Sequence, residues 1–298
     1  MDDLSVAWTI LSIIAPLVLI VMLGLLYGRK HRPDISAANR MNMDIFCPAL
    51  IFSVLANNHL EFTHYSQLFI AAIWVVLGSG LLLLPLVKLY RLNARTFLPP
   101  MMFNNAGNLG LPLIILAFGE SAMPIAVILF MVEMVLHFSV GLYFIDPKAK
   151  IHTSLRIPVI VAAILGLLWG GLTLPLPQLL ATPIDMLGQI SVPLMLFTLG
   201  VRLIDVNLKD WKVGLIGAIA CPLSGLVCAA MAIWLLPLPP TQQACLILFA
   251  ALPPAVLNFI IAEQYQLEPQ RVASIVMLGN IASLLFIPLA LVWVLPSS

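Results

Sequence analysis

The chain has 298 residues, 62% of them hydrophobic and 9% charged, with 14 Lys and Arg against 13 Asp and Glu. Soluble domains carry about a quarter charged residues, so a mean hydropathy of +1.08 excludes a soluble domain and leaves an integral membrane protein with little mass outside the bilayer. A net charge of +1 points to no nucleic-acid partner.

Spans of about 20 apolar residues cross a bilayer, and ten are legible, at 7–28, 36–56, 66–89, 96–118, 122–145, 156–173, 185–204, 211–236, 241–262 and 270–295. The first follows Met1-Asp2-Asp3 without a basic n-region, so it is expected to stay as a helix. In the second, Asp44 stands i+4 from Arg40 and reads as its salt-bridge partner or, less directly, as an ion-coupling group. The fourth contains Asn104-Asn105-Ala106-Gly107-Asn108-Leu109-Gly110-Leu111-Pro112. A lipid-facing helix has no use for that run, because each freed backbone group in hydrocarbon costs several kcal/mol.

Asn105, Asn108 and Pro112 share a face wherever the run is helical. Pro112 lacks an N–H and crowds the preceding turn, so the break is expected there. Freed amides, the start of the following half-helix and Asn amide groups would cradle a carboxylate, with Asn105 the leading contact. The alternative is that these Asn only satisfy broken backbone. In the fifth span Glu133 and His137 are i, i+4 and read either as a proton-responsive pair or as a structural hydrogen-bonded pair. The ninth span carries Pro253-Pro254, expected to open the helix as in the fourth, with Asn258 one turn later as a substrate contact or a structural hydrogen bond. Asn280 of the tenth is placed to bond the ninth, and Glu263 reads as a solvated helix end.

All 14 Lys and Arg fall at the first, third, fifth, seventh and ninth connections, from Arg29 to Arg271. The positive-inside rule makes those loops cytoplasmic and puts both termini outside. Pro16–Gly28 (PLVLIVMLGLLYG) also answers Pro158–Gly170 (PVIVAAILGLLWG), and Ile45, Pro48, Phe52 and Ser53 answer Ile190, Pro193, Phe197 and Thr198. Five spans separate the matched pairs, so the copies run in opposite senses. The expectation is an all-α polytopic membrane protein of ten transmembrane helices in a 5+5 inverted repeat: 1–145, a cytoplasmic linker at 146–155, and 156–298. Broken helices at equivalent places of two repeats point to a transporter's binding site.

Asn105 through Gly110-Leu111-Pro112, Leu252-Pro253 with Phe259, Ala262 and Tyr265, Phe197-Thr198-Leu199-Gly200, Asn39-Arg40 and Pro48 together resemble the auxin efflux carrier family. That family includes the plant PIN-FORMED auxin exporters and bacterial carriers assigned to malate, malonate and related anions. The resemblance implies that helices 4 and 9 unwind and cross at their prolines. Helices 1, 2, 6 and 7 would form a scaffold that also makes a homodimer, with 3–5 and 8–10 a transport domain moving elevator-fashion. It places Asn105 at the family's substrate-contacting asparagine, with Pro112, Pro253 and Pro254 at the crossover. The family's long cytoplasmic loop is absent, which fits a minimal bacterial-type member in the inner membrane with periplasmic termini. Asn258 departs from the plant pattern and would tune the site toward a more polar substrate.

The expected function is secondary export of a small carboxylate, malate-like or auxin-like. A sodium- or proton-coupled symporter on the bile-acid-carrier-like fold is the alternative, and a channel a weaker one. No P-loop and no intramembrane protease motif is present. No enzyme activity, cofactor or metal is therefore expected, and Cys47, Cys221, Cys228 and Cys245 read as small buried hydrophobes. Gly24, Gly28, Gly166 and Gly170 read as close helix contacts.

Overall fold

A helix is the form in which one chain segment satisfies its own backbone in hydrocarbon, and the computed structural model is all-helical among the described residues. These are 3–57, 62–147, 156–172, 175–204 and 210–295, with only the backbone described for 3–6, 62 and 63. Most of the 146–155 linker, and Lys148, Lys150 and Lys209 of the basic pattern, lie outside them.

In chain order the first half contains α1 (Asp3–His31), α2 (Ser36–Met41), a π-helical turn (Asn42–Phe46), α3 (Cys47–Asn57) and α4 (Phe62–Leu89). It continues with α5 (Ala94–Met102), a second π turn (Ala106–Gly110), α6 (Leu111–Phe118), α7 (Met123–Leu136), a third π turn (His137–Gly141) and α8 (Leu142–Ile145). The second half contains α9 (Pro158–Gly171), α10 (Gln178–Arg202), α11 (Trp211–Leu235), α12 (Pro240–Ala250), α13 (Leu257–Gln264) and α14 (Pro269–Val294). Among the described residues six helices are long and apolar enough to cross a membrane, and Ala106–Phe118 and Pro158–Gly171 are shorter apolar helices. The seventh span was expected to start at 185, but α10 begins at Gln178. Helix length is set by backbone bonding, which Thr182 and Asp185 do not interrupt, whereas the apolar run is shorter.

Two groups of helices emerge from the packing. α1 lies along α10, and α3 along both α9 and α10. Separately, α4 packs on α5, α7, α11 and α12, while α14 packs on α5, α11, α12 and α13. α1 and α10 meet at backbone distance. A Cβ on Gly24 would fall on the Phe197 carbonyl, and one on Gly200 on the carbonyl of Val21. Small residues permit such approaches where lipid offers no competing hydrophobic drive. Tyr27 adds a ring contact to Phe197 at 5.6 Å between centroids. The four cysteines are free and buried, as their apolar surroundings suggested.

Candidate functional site

The helical bonding lapses twice, over Phe103–Asn105 and over Leu252–Val256. Each lapse is repaired by the other. Asn105 N–H donates to the Pro253 carbonyl at 2.7 Å, and Ala255 N–H donates to the Phe103 carbonyl at 3.0 Å. Between these bonds Asn104 and Pro254 face each other as one antiparallel bridge. A residue in such a non-bonded pair points its N–H away from its partner, so Pro254 removes no bond from the bridge. The two extended segments thus satisfy polar groups that hydrocarbon would leave unpaired.

Side chains lock the crossing. Asn104 Nδ2 donates to Phe249 O at 2.7 Å. Asn258 Nδ2 donates to Phe103 O at 2.8 Å and Ala255 O at 3.0 Å. Asn280 Nδ2 reaches Pro254 O at 3.2 Å, as its position in the tenth span suggested, and Asn105 Nδ2 reaches Asn280 Oδ1 at 3.4 Å.

The break does not lie where Pro112 was expected to put it. Helical bonding resumes at once after Asn105, whose carbonyl accepts from both Leu109 N–H (3.1 Å) and Gly110 N–H (3.0 Å). Pro112 is buried in the first turn of α6, where it is compatible with helix, and the wide π turn ahead of it has room for the ring. The amides of Ala106, Gly107 and Asn108 precede the first complete turn, as at any helix start.

A cavity of about 270 Å³ opens against this crossing. Its walls include Asn104, Asn105, Gly107 and Asn108 from the first break and Ala255, Val256 and Leu257 from the second. Asn39, Arg40 and Asn42 line it from α2 and the first π turn, Met195 and Arg202 from α10, and Glu133 and His137 from α7 and the third π turn. All three π turns therefore contribute a wall residue, and π turns concentrate at functional sites. His137 is stacked on Phe103, centroids 4.1 Å apart and planes at 4°. Its Nδ1 lies 3.6 Å from Glu133 Oε1, and both residues are buried. Asn42 Oδ1, Asn104 Oδ1, Glu133 Oε1 and both His137 nitrogens have no hydrogen-bond partner among the described residues. Buried polar atoms are nearly always paired, so a polar occupant of this cavity has partners waiting.

A second cavity, about 360 Å³, adjoins the first and shares Asn39, Arg202 and Val256 with it. It reaches the connection at Pro33–Ser36 and touches Asn280. There the Ser36 hydroxyl and backbone N–H hold the Asp34 carboxyl below the usual carboxylate range.

Of the residues singled out in the sequence, Asn105, Asn108, Glu133 and His137 line the smaller cavity. Pro112, Pro253, Pro254 and Asn258 do not. The prolines shape the backbone behind it, and Asn258 is occupied by two carbonyls. Asp44 is exposed, and no ion pair joins it to Arg40 among the described residues. The π turn starting at Asn42 lengthens the repeat beyond the α-helical one, so i and i+4 no longer stack. Arg202, Asn42 and Asn104 were not anticipated as wall residues. The signal for Arg202 was its place directly after the Phe197–Gly200 motif.

Asn258→Ala would remove the second donor from each of two buried carbonyls that keep a backbone donor, at a cost of about 0.5–1.5 kcal/mol. The expected result is a melting midpoint in detergent lowered by about 2–4 °C with substrate affinity unchanged. An altered KM at an unchanged midpoint would put Asn258 on the substrate instead.

No curated protein matches the chain. Residues 148–293, which contain α9 through α13 and nearly all of α14, match the family model described as Membrane transport protein. The second half of the chain thus resembles the auxin efflux carrier family domain, whose members are membrane transporters, and the six membrane-length helices are those of a multi-pass membrane protein.

Proposed function

We propose that the protein is a secondary carrier that exports a small organic anion, a carboxylate, through the cavity at the crossing. One observation carries the reading: a cavity at two facing helix interruptions is lined by five asparagines and two arginines. Asn39 Nδ2, without a partner among the described residues, Asn105 Nδ2, held only by a long contact, and the helix-start amides can donate to a carboxylate, and Arg supplies the charge. An inside-negative potential drives an anion outward with about 2.3 kcal/mol per charge per 100 mV, so export requires no second ion.

We read the architecture as ten spans in a 5+5 inverted repeat, 1–145 and 156–298. The packing partners support this, because exchanging the halves maps pairs onto pairs. α1 with α10 becomes α9 with α3, α4 with α5 becomes α11 with α12, α4 with α7 becomes α11 with α14, and α7 with α12 becomes α14 with α5. The same partition supports a scaffold of α1, α2–α3, α9 and α10, which would dimerise, and a transport domain of α4–α8 and α11–α14 moving as an elevator. In this reading both termini are periplasmic and the membrane is a bacterial inner membrane.

Counterflow in proteoliposomes tests the function. Vesicles loaded with mono- and dicarboxylates or indole-3-acetate should accumulate the labelled anion saturably, and the panel ranks substrates. Flux that never saturates would favour a channel, and absence of any anion exchange would sink the reading. A second reading, proton-coupled symport, draws on the Glu133–His137 pair in the same wall. It predicts that an imposed pH gradient alone drives accumulation.

A further inference from the structure

The charges around the two cavities are not equivalent. Glu133 lies beside His137, and Asp34 is held by Ser36 at the rim. Arg40 is exposed and lines only the smaller cavity. Arg202, the last residue of α10, is partly buried and lines both cavities. No hydrogen bond or ion pair engages its guanidinium among the described residues. Asn105 of the smaller cavity meets Asn280 of the larger at 3.4 Å.

We propose that Arg202 is the specificity-determining cation of the carrier: it recognises the carboxylate in the larger cavity and hands it to the asparagines of the smaller one. This rests on the organic-anion reading above. A guanidinium with no partner among the described residues, at the junction of two cavities, attracts an anion from either side. Partial burial strengthens that attraction relative to the exposed Arg40. Arg202 belongs to the α10 body, which is fixed to α1 at Gly24 and Gly200. Asn105 and Asn280 lie on the other group of helices. The anion would therefore pass from a cation on one body to amides on the other, and relative motion of the bodies would change which of the two holds it.

Chemical rescue provides the test. Arg202→Cys should raise KM for the best carboxylate of the panel about tenfold or more. Modification with a methanethiosulfonate carrying an ammonium group should return KM to near the wild-type value, whereas the sulfonate reagent should not. The native cysteines are buried, so wild-type exchange should ignore both reagents. Arg202→Lys should stay within a few-fold of wild type and Arg202→Gln should not, a comparison that carries the test if Arg202→Cys fails to fold. An unchanged KM in Arg202→Cys, equal rescue by both reagents, or Lys as impaired as Gln would overturn the role of Arg202 while leaving the carrier intact. Wild-type vesicles that exchange no anion would overturn the carrier reading and this one with it.

Discussion

Asn105→Ala is expected to reduce carboxylate exchange at sub-saturating substrate by one to two orders of magnitude without unfolding the protein. Two kinds of bond meet at this residue. Its backbone N–H, at 2.7 Å from Pro253 O, closes the crossing and survives any substitution but proline. Its side chain faces the cavity and makes one long contact to Asn280. Removing an amide donor to a charged acceptor costs about 1.5–3 kcal/mol, which is roughly 10- to 150-fold in binding. Asn105→Asp should be worse than alanine, because it puts a like charge where the anion sits. Initial exchange rates and a thermal melt on the same preparations separate the outcomes. A fall in both would mean that Asn105 is structural, and exchange at wild-type rates would remove it from the site.

The largest stability effect is expected at the contact of α1 with α10. Gly200→Ala brings a methyl group onto the carbonyl of Val21 and near Leu25 N, which is 2.8 Å from the ideal Cβ. Both neighbours are backbone, so no side chain can rotate aside and α1 must move away. Core overpacking typically costs 1–3 kcal/mol, and a rigid backbone on both sides should bring the loss to about 4 kcal/mol or more. Gly24→Ala meets the Phe197 carbonyl in the same interface. The two changes are not independent, because the displacement forced by one makes room for the other. The double variant should therefore lose clearly less than the sum of the singles. Folded yield and melting midpoint measure this, and full additivity would mean that the glycines do not share one contact.

Much of this was legible in the chain. Asn-, Gly- and Pro-rich runs inside hydrophobic spans have no role against lipid, and that argument alone located both lapses of helical bonding. Helical spacing also placed Glu133 with His137 and put Asn105 and Asn108 on one wall. What failed did so for local geometric reasons. The break precedes Pro112 because a π turn absorbs the proline ring, and a sequence does not announce a π turn. Another π turn at Asn42 undid the expected pairing of Arg40 with Asp44. Asn258 has the chemistry of a substrate contact, yet only the fold brings Phe103 O to within 2.8 Å of it. Arg202 read as a loop charge orienting the spans, because a residue at a helix end looks solvated until the neighbouring helices are in place.

The exchange of bonds between Phe103–Asn105 and Pro253–Ala255 also sets an order of events during synthesis. A ribosome adding about 5–20 residues per second reaches Pro253 roughly 150 residues after Phe103, about 8–30 s later. Through that interval Phe103 O and Asn105 N–H lack the partners that the late segment supplies. The early product would have to keep Asn105 N–H beside water, a chaperone or the translocation machinery until the late segment arrives to receive it. Neither half would be a finished membrane protein alone. Halves made as separate chains in the same cell should recover one another, whereas the first half made alone should be degraded.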